Sequence, residues 1–538
     1  MEMSAIQSQI SRIFNQQERN EFGHQRYAIL FKPGQYDLDV RVGYYMQILG
    51  LGQMPDDVLI RGAVRSNTYR DTRSVLSNFW RSAENLAVIP TVENSNVWGV
   101  SQAAPLRRVH IKGNLQVHDG GYASGGFLAD SKVDGEIQPG QQQQWLTRNT
   151  EMAKWGPDKG SWNFVFVGVN NTPLGSWPDA PYTIIDKTPI VREKPFLQID
   201  DKGDYSVFVP ALRYDCQGYS WADGPTDGES IPIDRFYIAH AGVDNASSIN
   251  AALKTGKNLL LTPGIYHLEG PIIITDPDTV VLGIGLPSLV PENGTAALVC
   301  DDGDGIIIAG VVFDAAFKES PVLLQVGQEG ASGDHSQNPI FLFDVFCRVG
   351  TAVVGNAKSC VIIHSNNVVG DHFWLWRADH GPSAIDGRPG WKFNQCANGL
   401  IVNGDDVTIY GLFNEHFQEY QTLWNGNGGR VFMYQSESPY DPPSQDAWQH
   451  DRINGYASYK VNKNVTTHEA YGLGFYCVIF SSESVRCHNG YELPVGLGIK
   501  MNNLLTLHLV GREITHVING TGEAAKEGDR IQRILNYP

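Results

Sequence analysis

Short apolar runs separated by Gly, Asn and Asp return along most of the chain. VLIRGAV, GIIIAGVVFDA, CVIIHSNNVVG and LIVNGDDVTIYGLF are examples. Such runs predict β-strands, and they recur roughly every 20 to 25 residues. Asn and Gly at the strand ends favour a right-handed parallel β-helix over a β-sandwich. Amphipathic helices are predicted only for the first 20 residues and for ASSINAALKT (246–255).

A two-part repeat divides the chain. FKPGQYDLD starts at Phe31 and LTPGIYHLE starts at Leu261, and these copies are followed by ILGLG and VLGIG in the same order. Two matches in the same order predict two similar structural units. We therefore expect an all-β chain of two tandem β-helices, 1–185 and 236–538. The Pro-, Gly- and Asp-rich segment 186–235 is predicted to connect them.

Composition limits the partners. The chain has 538 residues, too many for one ordinary domain, and its formal net charge is −17. That charge disfavours nucleic acid and anionic membranes, whereas a neutral polysaccharide or oligosaccharide is compatible with it. The sequence contains no run of about 18 apolar residues, so no membrane span is predicted. Oligomeric state is not predicted.

The N-terminus and the cysteines carry little information about function. MEMSAIQSQISRIFNQQ lacks a basic region followed by an apolar one, so no secretory signal is predicted. Location is left open between the cytoplasm and secretion after removal of a signal. The seven cysteines form no CxxC or zinc-like spacing, and we expect buried thiols, with one disulfide as the alternative.

Two acidic residues in aromatic surroundings suggest a catalytic function. Glu415 lies in NEHFQEYQTLWNG, and Glu437 lies 22 residues later in YQSESPYDPP. Paired carboxyl groups beside flat rings are typical of glycosidases. One β-helix coil takes about that many residues, so the two acids are expected on neighbouring strands ~4.8 Å apart. That spacing alone is compatible with inversion or with retention of the anomeric configuration.

Other side chains in these segments are predicted to contact substrate. Asp379 and His380 follow WLWR and are either sugar contacts or a buried ion pair. Aromatic rings and amides complete the predicted set, the rings as sugar platforms or as core: Trp376, Trp424, Gln421, Gln435 and Tyr440. No metal and no cofactor is predicted.

Five segments of the chain resemble motifs of glycoside hydrolase family 55, the β-1,3-glucanases built from two tandem parallel β-helices. They are SGGFLAD and QQWLTRN in the first unit, and WLWRADH, NEHFQEYQ and QSESPYDPP in the second. The resemblance implies inverting hydrolysis of a β-glucan in a groove between the two β-helices. It also implies that Glu437 is the general acid and that Glu415 positions or activates water with Gln144 and Ser124. The flanking residues Tyr434, Pro439 and Tyr440 are expected to disfavour the charged form of Glu437 and raise its pKa.

Three alternatives stay open at the level of sequence. A β-helix hydrolase could act on another linkage or on a small glycoside. A β-helix lyase would use Ca²⁺ and a basic residue on uronic acids, which the acidic, aromatic candidate region disfavours. A non-catalytic carbohydrate-binding β-helix protein would not need both glutamates.

Overall fold

The computed structural model describes residues 3–67, 74–385, 387–481 and 484–538, and it is almost entirely β. The chain divides into two compact units. Unit 1 comprises Met1–Ile238, Leu260–Gly264 and Leu282–Pro287, and unit 2 comprises Ala239–Leu259, Ile265–Val281 and Ser288–Pro538. The predicted all-β parallel β-helix architecture is confirmed.

Strands of the first 235 residues are numbered in chain order. β1–β19 are Tyr27–Phe31, Gly34–Arg41, Met46–Gly50, Val58–Arg65, Arg81–Pro90, Ser95–Val97, Leu106–Ile111, Asn114–Gln116, Phe127–Ala129, Lys132–Gln138, Gln144–Arg148, Glu151–Trp155, Asn163–Val167, Tyr182–Ile185, Thr188–Val191, Phe196–Ile199, Tyr205–Pro210, Arg213–Cys216 and Gly228–Pro232. The first helix, α1, is Met3–Gln17.

The remaining strands are numbered onward from there. β20–β43 are Phe236–Ala239, Asn258–Leu261, Ile265–Leu268, Ile272–Ile274, Val280–Gly283, Ser288–Pro291, Leu298–Cys300, Ile307–Asp314, Ser320–Val326, Ile340–Val349, Ala357–Ile363, Val368–Arg377, Asn398–Val402, Thr408–Glu415, Thr422–Trp424, Gly429–Glu437, Gln449–His450, Ile453–Asn454, Tyr459–Val461, His468–Val478, Cys487–Glu492, Ile499–Val510, Ile514–Ile518 and Ile531–Tyr537. Helix α2, Ala246–Leu253, is capped by Asn245, whose side chain accepts a hydrogen bond from the Ser248 amide. Both predicted helices are confirmed.

Unit 1 is a stack of parallel coils. Its main sheet has the order β1-β3-β5-β7-β9-β11-β13-β14. Up to β13, each strand in this order pairs with the strand two positions later in the chain. Apolar side chains stack at matching positions inside the coils, as Ile60, Val88, Ile111 and Val133 do. Each such fully buried side chain stabilises the fold by roughly 1.5–3 kcal/mol. The segment 186–235 forms two small antiparallel sheets, β15-β18 and β16-β17-β19, within this unit.

Unit 2 has two long parallel sheets. One contains β27-β29-β31-β33-β35-β39-β41 in that order, and the other runs β23-β26-β28-β30-β32-β34-β38-β40-β42. One residue of left-handed backbone interrupts each strand of the first sheet, and the register skips it. These bend residues are Gly310, Asp344, His372, Gly411, Met433, Gly472 and Asn503. They stack into one column that bends every strand at the same level.

Two bend residues with side chains stabilise each other. Nδ1 of His372 lies 2.9 Å from Oδ1 of Asp344, and both side chains are buried. Left-handed backbone is costly for residues other than Gly. The contact between His372 and Asp344 therefore stabilises the bend at two positions that lack glycine. Glu415 and Glu437 each stand four residues after a bend, at Gly411 and Met433, which places them at the same level of the sheet.

Candidate active site

Glu415 and Glu437 occupy equivalent positions on adjacent strands. Glu415 ends β33, Glu437 ends β35, and the two residues are register partners in a parallel pair. Neighbouring strands lie about 4.8 Å apart, so two residues that are 22 positions apart in the sequence are direct neighbours in the sheet. The predicted placement of both acids on neighbouring coils is confirmed.

Glu415 is buried and held by two donors. Trp374 Nε1 donates to one carboxylate oxygen at 2.7 Å, and Gln435 Nε2 donates to the other at 2.6 Å. Both donors are register partners of Phe413, two residues before Glu415. Burial raises the pKa of Glu415, although these two hydrogen bonds and the charge of His416 oppose the shift.

Glu437 has a different neighbour. The hydroxyl of Tyr440 donates to Oε2 at 2.7 Å from the turn that follows β35. Burial and the adjacent charge of Glu415 raise the pKa of Glu437 to about 7. The sequence led us to expect that Tyr440 contributes to this increase, which is wrong, because its hydrogen bond stabilises the charged form and lowers the pKa.

The turn that carries Tyr440 is anchored at both ends. Arg377, fully buried, donates from one guanidinium nitrogen to Asp441 Oδ1 at 2.9 Å. His416 Nδ1 lies 2.9 Å from the Ser438 carbonyl, which can only accept, so this nitrogen carries the proton. The ring of His416 also packs edge-on against Tyr440, with centroids 4.3 Å apart. These contacts hold the hydroxyl of Tyr440 against Glu437.

The anchoring role of Arg377, His416 and Asp441 is not predicted by the sequence. His416 directly follows Glu415, and Asp441 directly follows Tyr440, so adjacency to a candidate residue was the available signal. The deciding feature is the left-handed backbone of His416 at φ 70°, which residue type alone does not reveal.

Asp379 and His380 contact each other just after β31, and whether they serve as sugar contacts or as an ion pair stays a prediction. Oδ1 of Asp379 accepts from Trp376 Nε1 at 3.1 Å and lies 3.2 Å from His380 Nδ1 and 3.9 Å from His416 Nε2. Burial opposes ionisation of Asp379, but the hydrogen bond from His380 and the charge of His416 outweigh it and lower the pKa to about 2. The side chain of His380 is 42% exposed and is therefore accessible to a ligand.

The predicted sugar platforms lie inside the protein. Trp376 is 1% exposed and stacks on Trp374 with centroids 4.7 Å apart, while Trp424 is fully buried beside His468. Neither predicted platform presents a ring face at the surface. Their role in sugar binding stays a prediction.

The two predicted amide contacts are also internal. Gln421 is 2% exposed and pairs with the backbone of Phe417 through both amide atoms. Gln435 is fully buried and donates to Glu415. The structure thus places Gln435 in direct support of a candidate catalytic carboxylate, whereas Gln421 supports the turn after it.

Ser124 and Gln144 lie together in unit 1. Gln144 begins β11 and donates through Nε2 to the hydroxyl of Ser124 at 3.1 Å. Its Oε1 is buried and has no hydrogen-bond partner within the described ranges. Buried acceptors are nearly always satisfied, so an orphaned one marks a place that would stabilise a bound water or hydroxyl.

The residues that the structure describes contain no cluster of metal-ligating side chains, no disulfide and no membrane-spanning helix. In the described parts of the chain, no cluster of three or more His, Cys, Asp or Glu side chains could hold a metal ion. All seven cysteines are free thiols. No helix within the described ranges is long and apolar enough to cross a membrane.

Relatives with this architecture are known. The LAM55 pectate lyase-like domain family matches residues 236–437, a range that ends at Glu437. An exo-β-1,3-glucanase of Streptomyces sp. (strain SirexAA-E / ActE) is 45% identical over 538 residues, covering 99% of this chain and 87% of that protein. The chain belongs to glycoside hydrolase family 55.

Solved structures agree with this family 55 assignment. The structure of sacteLam55A from Streptomyces sp. SirexAA-E has a TM-score of 0.96 at 45% identity, covering 99% of this chain and 96% of that one. A variant of the same protein with a glutamate replaced by alanine, in complex with glucose, also has a TM-score of 0.96, at 44% identity and the same coverage. The resemblance found in the sequence motifs is confirmed.

Proposed function

We propose that this glycoside hydrolase cleaves β-1,3-glucan from a chain end with inversion, and that Glu437 is its general acid. The observation that carries the proposal is the register pairing of the buried Glu437 with Glu415, since burial and the charge of Glu415 together raise the pKa of Glu437 to about 7. A carboxyl group with that pKa still holds its proton near neutral pH and can donate it to a leaving oxygen. Exo action follows the similar Streptomyces exo-β-1,3-glucanase.

Different hydrogen-bond donors hold the two acids. Trp374 and Gln435 donate to Glu415, whereas Tyr440 donates to Glu437. Inversion is proposed by similarity to family 55. Inverting enzymes separate their carboxyl groups by ~6.5–9.5 Å to admit a water, against ~5–5.5 Å in retaining enzymes.

In this mechanism the proton of Glu437 passes to the glycosidic oxygen as the bond to the anomeric carbon breaks. A water molecule attacks the anomeric carbon from the opposite face and loses a proton. Glu415 orients or deprotonates that water. Trp374 and Gln435 each donate to one oxygen of Glu415 and so fix the orientation of the carboxylate.

Ser124 and Gln144 of unit 1 stay in the proposal as predicted contributors to water activation. The buried Oε1 of Gln144, which lacks a partner in the described ranges, is suited to accept a hydrogen bond from a bound water. Asp379, His380 and Tyr440 are the proposed substrate contacts of unit 2, because Asp379 and Tyr440 interact with Glu437 and because the side chain of His380 is exposed.

Product analysis tests this function. Wild-type protein is incubated with laminarin and with β-1,4-, mixed-linkage and α-linked glucans, and the anomer released first is followed by NMR. We expect α-glucose from laminarin alone, and at least a hundredfold lower kcat for Glu437→Gln, since general acid catalysis contributes about 10²–10⁴-fold. The exposed Glu329→Gln is the matched control. Release of β-glucose would contradict inversion, and cleavage of another glucan alone would contradict the linkage.

A further inference from the structure

A second feature of unit 2 is a cleft on the outer face of its second sheet. The cleft has a volume of about 370 Å³ and is lined by residues of β34 and β38 and by the segment that follows β40. Small-molecule sites typically enclose about 300–1,000 Å³. The lining therefore comes from three neighbouring coils.

The cleft combines an apolar floor with polar edges. Leu423, Val461, Leu493 and Pro494 provide apolar surface. Lys460, Asn462 and Lys463 provide hydrogen-bond donors at the edge, and Tyr420 forms one wall. A pyranose ring has the same division, with C–H groups on its faces and hydroxyl groups around its rim.

Charge in the cleft favours a neutral ligand. Lys460 Nζ lies 2.7 Å from Glu492 Oε2, so the charge of this lysine is already compensated. An anionic ligand would have to compete with that carboxylate. Lys463, an exposed side chain, remains as a donor at the edge.

A peptide strand cannot be added here by backbone pairing. β34, β38 and β40 each have a parallel partner on both sides, so the sheet presents a face and no open edge at the cleft. The ligand must therefore be recognised by side chains, through ring contact and hydrogen bonds.

The cleft is connected to the candidate active site by a short turn. Tyr420 is five residues after Glu415, and five residues of extended chain reach at most ~18 Å. Tyr420 is fixed in place by edge-to-face contact with Tyr456, with centroids 5.1 Å apart. A rigid aromatic wall within that distance of Glu415 is within reach of the same polymeric substrate.

We infer that this cleft is a second carbohydrate-binding site, which holds a β-1,3-glucan chain while the active site cleaves it. The inference rests on the proposed function, because the ligand is taken to be the same polysaccharide. It predicts two saccharide sites per chain.

Binding stoichiometry tests the inference. Laminarihexaose is titrated calorimetrically into Glu437→Gln, which keeps both sites and prevents hydrolysis. We expect two molecules bound per chain. Adding Tyr420→Ala is expected to weaken one of them about tenfold, since an aromatic contact contributes ~0.5–1.5 kcal/mol beyond its area. Tyr420→Phe keeps the ring and restores binding, and Tyr214→Ala, an exposed tyrosine in unit 1, is the control.

Kinetics add a readout that is independent of folding. The ratio of kcat/KM on laminarin to kcat/KM on laminaribiose is expected to fall about threefold or more in Tyr420→Ala and also in Lys463→Ala, which alters only an exposed side chain. One saccharide per chain, with binding and kinetic ratio unaffected by either substitution, overturns the second site while the hydrolase survives. Tyr420-dependent binding without any cleavage refutes the hydrolase and supports the site.

Discussion

Replacing the proposed acid is expected to stabilise the protein at alkaline pH while it abolishes activity. The pKa of Glu437 is raised from 4.5 to about 7, first by burial and then by the charge of Glu415. A group whose pKa is higher in the folded state favours folding fully below its unfolded pKa, and that advantage is lost as pH rises through the folded pKa. At about 1.4 kcal/mol for each pKa unit, the loss between pH 4.5 and pH values above 7 amounts to about 3 kcal/mol.

Glu437→Gln has no such pH dependence, because the amide is neutral and nearly isosteric. We therefore expect wild type and variant to unfold at similar temperatures at pH 5, and the variant to gain about 3 °C at pH 8.5. Differential scanning calorimetry of both proteins at the two pH values measures this gain, and titrations common to both cancel in the difference. The same comparison for Glu329→Gln controls for loss of surface charge.

A difference in melting temperature that is equal at pH 5 and pH 8.5 would refute the reasoning. It would mean that Glu437 titrates alike in the folded and unfolded states, so that burial and Glu415 do not disfavour its charged form. The general acid would then need another explanation for holding a proton near neutral pH.

Two further substitutions test the contacts around the acid. Glu415→Gln removes the negative charge beside Glu437, so the alkaline limb of the kcat profile on laminarin should move to lower pH and kcat should fall about a hundredfold; an unmoved limb would contradict the charge coupling. Tyr440→Phe removes the donor that lowers the pKa of Glu437, so the same limb should move to higher pH, with kcat reduced about three- to tenfold; a shift to lower pH would contradict the assigned hydrogen bond.

Local sequence pattern was sufficient for the architecture and for the pair of acids. In a parallel β-helix, one coil converts a fixed interval of sequence into a neighbour contact. The interval of 22 residues between Glu415 and Glu437 is therefore enough to predict that they are adjacent. Short apolar runs with polar turns similarly predict the parallel sheets, because strand and turn preferences act over a few residues.

Tertiary structure alone decided how these residues are held. The direction of each carboxylate depends on Trp374, Gln435 and Tyr440, which reach it from neighbouring coils or from an anchored turn. Which side chains face inward after a bend depends on left-handed residues such as Met433, and the type of a non-glycine residue does not reveal such a backbone. The burial of Trp376 and the raised pKa of Glu437 both depend on contacts with residues that are distant in the sequence. These contacts form only when the chain has folded.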